Sequence, residues 1–354
     1  MSEFFSKKYL KLTPYVAGEQ PQDKKYIKLN TNESPFPPSP FAQRLARESA
    51  GDSMLYPDPE YNSLVGVAAE KFGVKESEII FTNGSDEALD YAFAAYCDEK
   101  TPAVFPDITY GFYPVFAKIN RVPYREIPLK EDYTIDITDY FCAKGTVFIA
   151  NPNAPTGIAL SLTDVEKIVA NNPENVVVID EAYVDFGAES CVKLIKKYDN
   201  LIVTQTFSKS RSLAGARLGL AFACEKLIND LKTVKFSRNP YNVSRMTAAA
   251  GIGALIDEEY FSVNCRTIAK TREEFAAGLK KAGFSVLASK ANFVFVKHPF
   301  LSGGTLYSEL KARGILVRYF DKPRLTDFVR ITVGFAEDMN KTLSVIEKIT
   351  KEKK

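Results

Sequence analysis

A mostly parallel central sheet covered by helices on both faces, followed by a smaller α+β domain, is the architecture this sequence predicts. Three observations predict it. From about residue 75, short apolar runs alternate with stretches patterned as helices. The run "VVVID" at 176–180 lacks period-two alternation, as expected of a strand buried on both faces. After "LGLAFA" (218–223) the pattern turns to long helices and then to short strands.

The segment to about residue 45, rich in Pro and Asn ("LNTNESPFPPSP", 29–40), has too little apolar content to fold alone. It is expected to pack on the small domain or on a partner subunit. A large domain over 46–257 then reads as strand "SEIIFT", helix "GSDEALDYAFAAY", strand "PAVFP" and helix "YGFYPVFAKI". Strand "GTVFIA", helix "TDVEKIVANN", "VVVID" and "LIVTQTF" continue it, and the helical "VSRMTAAAGIGALI" closes it. A small α+β domain over 258–354 opens on a long charged and apolar helix. It continues through "FSVL", "NFVFVK", "TLYSELKARG", "ILVRYF" and "FVRITVG" to a final helix ending in "KEKK".

Composition narrows the function classes. With 46 basic against 44 acidic residues, the net charge of +2 makes no electrostatic case for nucleic acid or for an anionic membrane surface. The five cysteines are widely spaced, odd in number and free of any CxxC, which suggests neither a disulfide framework nor a zinc site. The N-terminus has no apolar leader, and no run is long enough to span a bilayer, so a cytoplasmic protein is expected. One histidine, His298 in "VKHPF", would have to carry any Ser-His-Asp or multi-histidine metal chemistry alone, and it reads as a surface or structural residue. No metal site is expected.

In open α/β sheets the ligand sits beyond the carboxyl ends of the strands, so the residues that end each strand are the informative ones. "IIFT" runs into Asn83, Gly84, Ser85 and Asp86 at the start of a helix, and "VFIA" into "NPNAPTG". "VVVI" ends in Asp180, Glu181, Ala182 and Tyr183, and "LIVTQTF" in Ser208 and Lys209. Gly84 and Ser85 would offer backbone N–H groups and a positive helix end to an anion, joined by the Ser208 hydroxyl and the Arg217 fork. By itself, Gly-Ser before a helix is usually only a cap.

Asp180 at a strand end also fits a magnesium-holding aspartate of a nucleotide hydrolase. That reading needs a GxxxxGK[ST] loop, and no Gly-Lys dipeptide occurs in the chain; no GxGxxG follows a strand either. A protonated pyridine nitrogen is another cation that suits Asp180. A lysine in a desolvated pocket suits an aldehyde, and together with a phosphate handle these describe pyridoxal 5'-phosphate. Burial lowers the pKa of such a lysine and equips it to move a proton as a base.

These residues belong to a longer series: "LTPY" (12–15), "LNTNESP" (29–35), "YPDP" (56–59), "GSDE" (84–87), "TYGFY" (109–113), "NPNAPTG" (151–157), "DEAY" (180–183), "TFSKSRSLAGARLG" (206–219) and "VRITVG" (329–334). In that order and over nearly the whole chain, they resemble the histidinol-phosphate aminotransferase family of fold-type-I pyridoxal-phosphate enzymes. The resemblance implies amino transfer between glutamate or 2-oxoglutarate and histidinol phosphate or its oxo counterpart, in histidine biosynthesis, by a homodimer.

Carried to this sequence, the resemblance implies Lys209 as the Schiff-base lysine, Asp180 as partner of the pyridinium nitrogen and Tyr183 as donor to the phenolic oxygen. Tyr110 stacks on the ring. Gly84, Ser85, Asp86, Thr206, Ser208 and Arg217 hold the phosphate side, with Tyr56 reaching over from a second subunit. Arg330 receives a substrate anion, Arg318 and Tyr15 lie toward the substrate's distal end, and Asn32 also binds substrate. The series departs from the family at Ala154, where an asparagine donating to the phenolic oxygen is usual, and Asn153 is the expected substitute. Aromatic amino-acid aminotransferases and threonine-phosphate decarboxylases share this scaffold, and fold analogy does not separate them. A cofactor-binding regulator without catalysis is disfavoured, because Lys209, Asp180 and Tyr183 are all present and no DNA-binding segment is appended.

Overall fold

A computed structural model describes residues 2–10 and 12–353 of the chain; Met1, Lys11 and Lys354 lie outside the described residues. Its largest sheet has seven strands in the order Ile79–Thr82, Gly219–Ala223, Leu201–Thr206, Val177–Asp180, Thr146–Ala150, Ala103–Pro106 and Tyr124–Ile127. Only Gly219–Ala223 runs antiparallel to its neighbours. The five central strands are buried at every position, which is why their sequences read as unbroken apolar runs. Apolar clusters line both faces of this sheet, one beneath the Ser85–Tyr96 and Glu225–Arg238 helices and one beneath Asn62–Phe72 and Leu162–Ala170.

The edge strand Tyr124–Ile127 escaped the sequence reading. Tyr124, Arg125 and Glu126 are exposed and only Ile127 is buried, so no apolar run marks the element.

The C-terminal part builds a separate antiparallel sheet, Arg318–Tyr319, Phe328–Thr332, Phe293–Lys297 and Ser285–Val286, over its own apolar cluster. The 24-residue helix Glu258–Lys281 leads into it. Ile27–Lys28 pairs in parallel with Ile315–Leu316, and Leu29 is buried in the same cluster. The chain then crosses back at Asn30–Asn32 toward the large sheet, and Ser39 caps the helix Pro40–Ser49 with its hydroxyl. Thus residues 29–32 lie between the two sheets.

His298 packs against Phe284 and Phe300 and accepts a hydrogen bond from the Phe300 N–H, so its role is structural. Among the described residues, no helix is long and apolar enough to cross a membrane and no acidic, histidine or cysteine cluster could hold a metal ion.

Candidate active site

The carboxyl ends of the parallel strands open into a cavity lined by Ser85, Asp86, Tyr110, Ala154, Asp180, Tyr183, Thr206, Ser208, Lys209 and Arg217. It continues into a wider outer cleft that shares Tyr110, Ala154, Tyr183 and Lys209 and adds Tyr15, Asn32, Arg318 and Arg330. Residues more than 300 positions apart in sequence therefore face one space.

At the inner end, Gly84 begins the helix Ser85–Tyr96 in the left-handed region (φ +75°). A side chain there would meet the Arg217 Nη2 at 2.5 Å, so the glycine is what lets the guanidinium lie against the helix start. Arg217 donates to Ser208 Oγ (3.3 Å) and to Asp86 Oδ2 (3.0 Å), and the Tyr110 hydroxyl donates to Asp86 Oδ1 (2.7 Å). The Thr206 hydroxyl accepts from the Ser208 N–H at 3.2 Å, fixing the turn out of the strand.

Asp180 ends its strand buried, accepting from the Ala182 N–H (3.2 Å), Thr204 Oγ1 (3.3 Å) and Tyr113 OH (3.3 Å). Burial, and then the charge of Asp86, push its carboxyl up to about 7. A cation brought into the cavity would favour its ionised form. Lys209 donates from Nζ to the Thr31 carbonyl at 3.1 Å, and burial, with the nearby Arg330 charge, brings its ammonium down to about 8. The Tyr183 hydroxyl accepts from Asn32 Nδ2 at 2.9 Å, and burial raises its phenol above the ordinary value.

Arg330 lies over the Phe293 and Phe320 rings, donates from Nη2 to the Asn30 carbonyl (3.3 Å), and holds a buried Nε with no partner. Arg318 reaches the carbonyls of Val16 (2.9 Å) and Ala17 (3.2 Å), pinning the stretch that carries Tyr15, whose ring packs on Phe112 at 4.9 Å. Tyr56 lies outside both cavities, 76% exposed and stacked on Tyr241.

The expectation for Asn153 is corrected. Its amide donates to the Ile108 carbonyl (3.0 Å) and Thr156 Oγ1 (3.0 Å), its carbonyl oxygen accepts from Thr109 Oγ1 (2.9 Å), and it lines neither cavity. With its amide donating to Ile108 and Thr156, it offers no donor to a ligand; the cavity meets the methyl of Ala154 instead.

Sequence reasoning gave no role to Tyr113 or Thr204. Both left a signal: Thr204 is a polar residue inside the buried run "LIVTQTF", and Tyr113 follows Tyr110 by three positions at a helix start. A buried polar group requires a partner, and the adjacent Asp180 is that partner.

The family described as aminotransferase class I and II matches residues 24–346. The chain belongs to that family. The aminotransferase chain is 47% identical, over 99% of its length and 100% of the relative's, to a histidinol-phosphate aminotransferase of Brachyspira hyodysenteriae. It is 48% identical to one of Acinetobacter baumannii over 94% of each chain. Its fold matches the crystal structure of histidinol-phosphate aminotransferase from Sinorhizobium meliloti in complex with pyridoxal-5'-phosphate, with a TM-score of 0.90, 24% identity and 99% of each chain covered.

This aminotransferase is an enzyme dependent on pyridoxal phosphate, and the cavity suits that cofactor. A glycine-lined helix start with Arg217 and Ser208 matches a phosphate, the buried Asp180 matches a ring cation, and the Lys209 amine matches an aldehyde.

Proposed function

We propose that this enzyme transfers an amino group between L-glutamate and the oxo counterpart of L-histidinol phosphate. Arg330 is the observation that carries the substrate side. Arg330 lines the cleft that opens onto Lys209, and with one guanidinium nitrogen on the Asn30 carbonyl it keeps further N–H donors for an incoming anion. Arg318, with Lys118 and Lys322 at the cleft's margin, adds positive charge suited to a phosphate ester. The names of the two relatives, each at least 47% identical, support histidinol phosphate as the amine.

Pyridoxal phosphate, when bound, supplies an aldehyde for amine exchange and a ring that takes up electrons as a proton leaves the substrate carbon. Arg217, Ser208 and the N–H groups at Ser85 and Asp86 would hold the phosphate, and Tyr110 would line the ring. Asp180 would pair with the protonated ring nitrogen, an attraction that the low-dielectric pocket strengthens. Lys209, with an ammonium near 8, has an unprotonated fraction at neutral pH; its amine would hold the cofactor's aldehyde and would act as a base toward the substrate-carbon proton. Tyr183, kept protonated by burial, donates from its hydroxyl toward the phenolic oxygen. Tyr15 and Asn32 complete the cleft wall, and Tyr56, solvent-facing in the single chain, serves the partner's site in a cytoplasmic homodimer.

The test is a titration of the loaded enzyme with histidinol phosphate and, separately, with phenylalanine, following loss of the yellow absorbance. Bleaching at much lower histidinol phosphate is expected; bleaching by phenylalanine alone would place the enzyme among aromatic aminotransferases. Lys209→Ala is expected to abolish steady-state transamination.

A further inference from the structure

Asn32 is buried (1% exposed), stands in the left-handed region at φ +56°, and is tied on every polar side that has a recorded partner. Its N–H donates to Thr332 Oγ1 (3.0 Å), its carbonyl accepts from Asn292 Nδ2 (3.0 Å), and its side-chain Oδ1 accepts from Thr332 Oγ1 (3.0 Å). These bonds also fix which way the amide faces. Thr332 Oγ1 already accepts from the Asn32 N–H, so its own proton goes to Oδ1 and the NH2 end of the amide is left toward Tyr183 OH at 2.9 Å.

An amide NH2 only donates, so the Tyr183 oxygen must accept from Asn32 and its proton must point elsewhere. The hydroxyl lines the cavity, and the turn beside it contributes only the Ala154 methyl, since the Asn153 amide is committed to Ile108 and Thr156. We propose that Asn32, held by Thr332 of the small sheet and by Asn292 just before the strand Phe293–Lys297, is a positioning residue that sets the direction of the Tyr183 hydroxyl proton and so keeps it as a donor to the cofactor's phenolic oxygen. This assigns Asn32 to the tyrosine rather than to substrate, and it rests on the cofactor reading above. Because Thr332 belongs to the small sheet and Asn292 immediately precedes one of its strands, they link its position to the orientation of one donor in the large domain's cavity.

The test uses the enzyme loaded with pyridoxal phosphate and reads the pH at which its visible band converts. A donor to the phenolic oxygen spreads that oxygen's negative charge and lowers this pH; losing the donor raises it. Asn32→Asp is nearly isosteric and tolerates the left-handed backbone, but a carboxylate accepts and turns the Tyr183 proton away from the cavity. Its charge also acts directly, as do those of Lys209, Arg330, Asp180 and Asp86 around Tyr183, none of which the variant alters. The same substitution on Tyr183→Phe measures the direct effect alone.

With Tyr183 present, the Asn32→Asp shift should exceed that on Tyr183→Phe by about one pH unit, and cofactor affinity should fall by roughly tenfold. Equal shifts on both backgrounds would overturn the assignment. Asn32→Gly keeps the backbone conformation if the aspartate variant does not fold; a smaller upward shift, absent on Tyr183→Phe, is expected, and no shift overturns it. A wild-type protein with no visible band would refute the cofactor reading itself.

Discussion

The Tyr113 hydroxyl donates to Asp180 Oδ2 at 3.3 Å from a side chain that is itself fully buried. With Thr204 and the Ala182 N–H, it gives the carboxylate three donors, and these oppose the burial that raises its pKa. These donors favour its ionised form and so ease its pairing with a cation.

Removing that donor should make Asp180 harder to ionise. Tyr113→Phe is expected to weaken pyridoxal-phosphate binding by roughly fivefold, from a hydrogen bond of about 1 kcal/mol. Titration of the cofactor-free protein followed by fluorescence measures this. An unchanged dissociation constant would mean that Thr204 and Ala182 suffice.

Asp180 also gives cofactor-free stability a pH dependence of definite sign. Its folded-state value of about 7 lies above the ordinary 3.8, so the folded protein keeps a proton that the unfolded chain loses. Stability from this group falls as pH rises from about 4 to about 7 and is level above that. The melting temperature of wild type relative to Asp180→Asn should therefore fall between pH 5 and pH 7; a rising difference refutes the assignment.

The phosphate end of the cavity depends on close backbone approach. A side chain at Gly219 would sit 2.3 Å from both the Gly84 carbonyl carbon and the Ser85 nitrogen. Gly219→Ala is expected to cost about 1–3 kcal/mol of stability and to loosen cofactor binding, because the helix start must move. Gly215→Ala, whose added methyl meets nothing within 4 Å, is the control. Arg217→Ala should loosen the cofactor with little loss of stability, since that guanidinium is about half exposed in the cofactor-free cavity.

Much of this site was legible in the sequence because strand ends are legible. Asp180, Ser208 and Lys209 each terminate or follow an apolar run, and an α/β sheet gathers such termini at one edge. The orientation of amides was not legible: "NPNAPTG" contains three asparagine or threonine side chains, and only the fold reveals that Asn153 spends its amide on Thr156 and on the distant Ile108 carbonyl. Nor was the Asn32–Thr332 pairing, which joins residues 300 positions apart. The strand Tyr124–Ile127 was hidden for the opposite reason, because an edge strand with three exposed side chains carries no apolar signature.

Arg330 offers the sharpest separation of binding from catalysis. Its guanidinium lies over the Phe293 and Phe320 rings, with Nη2 on the Asn30 carbonyl and Nε unpaired. A lysine in its place keeps one charge but loses the planar fork and its stacking on the two rings. Arg330→Lys is therefore expected to lower kcat/KM for both glutamate and histidinol phosphate by roughly ten- to hundredfold. The loss should fall mainly on KM, because the arginine is assigned to substrate and makes none of the recorded contacts to Asp180 or Tyr183 hydroxyl. The visible band of the loaded enzyme should be nearly unchanged. Steady-state kinetics with each substrate decides it. A fall in kcat with KM constant would mean that Arg330 acts on the reacting atoms through Lys209, whose ammonium it helps to depress, and the cleft would then need another anion receptor.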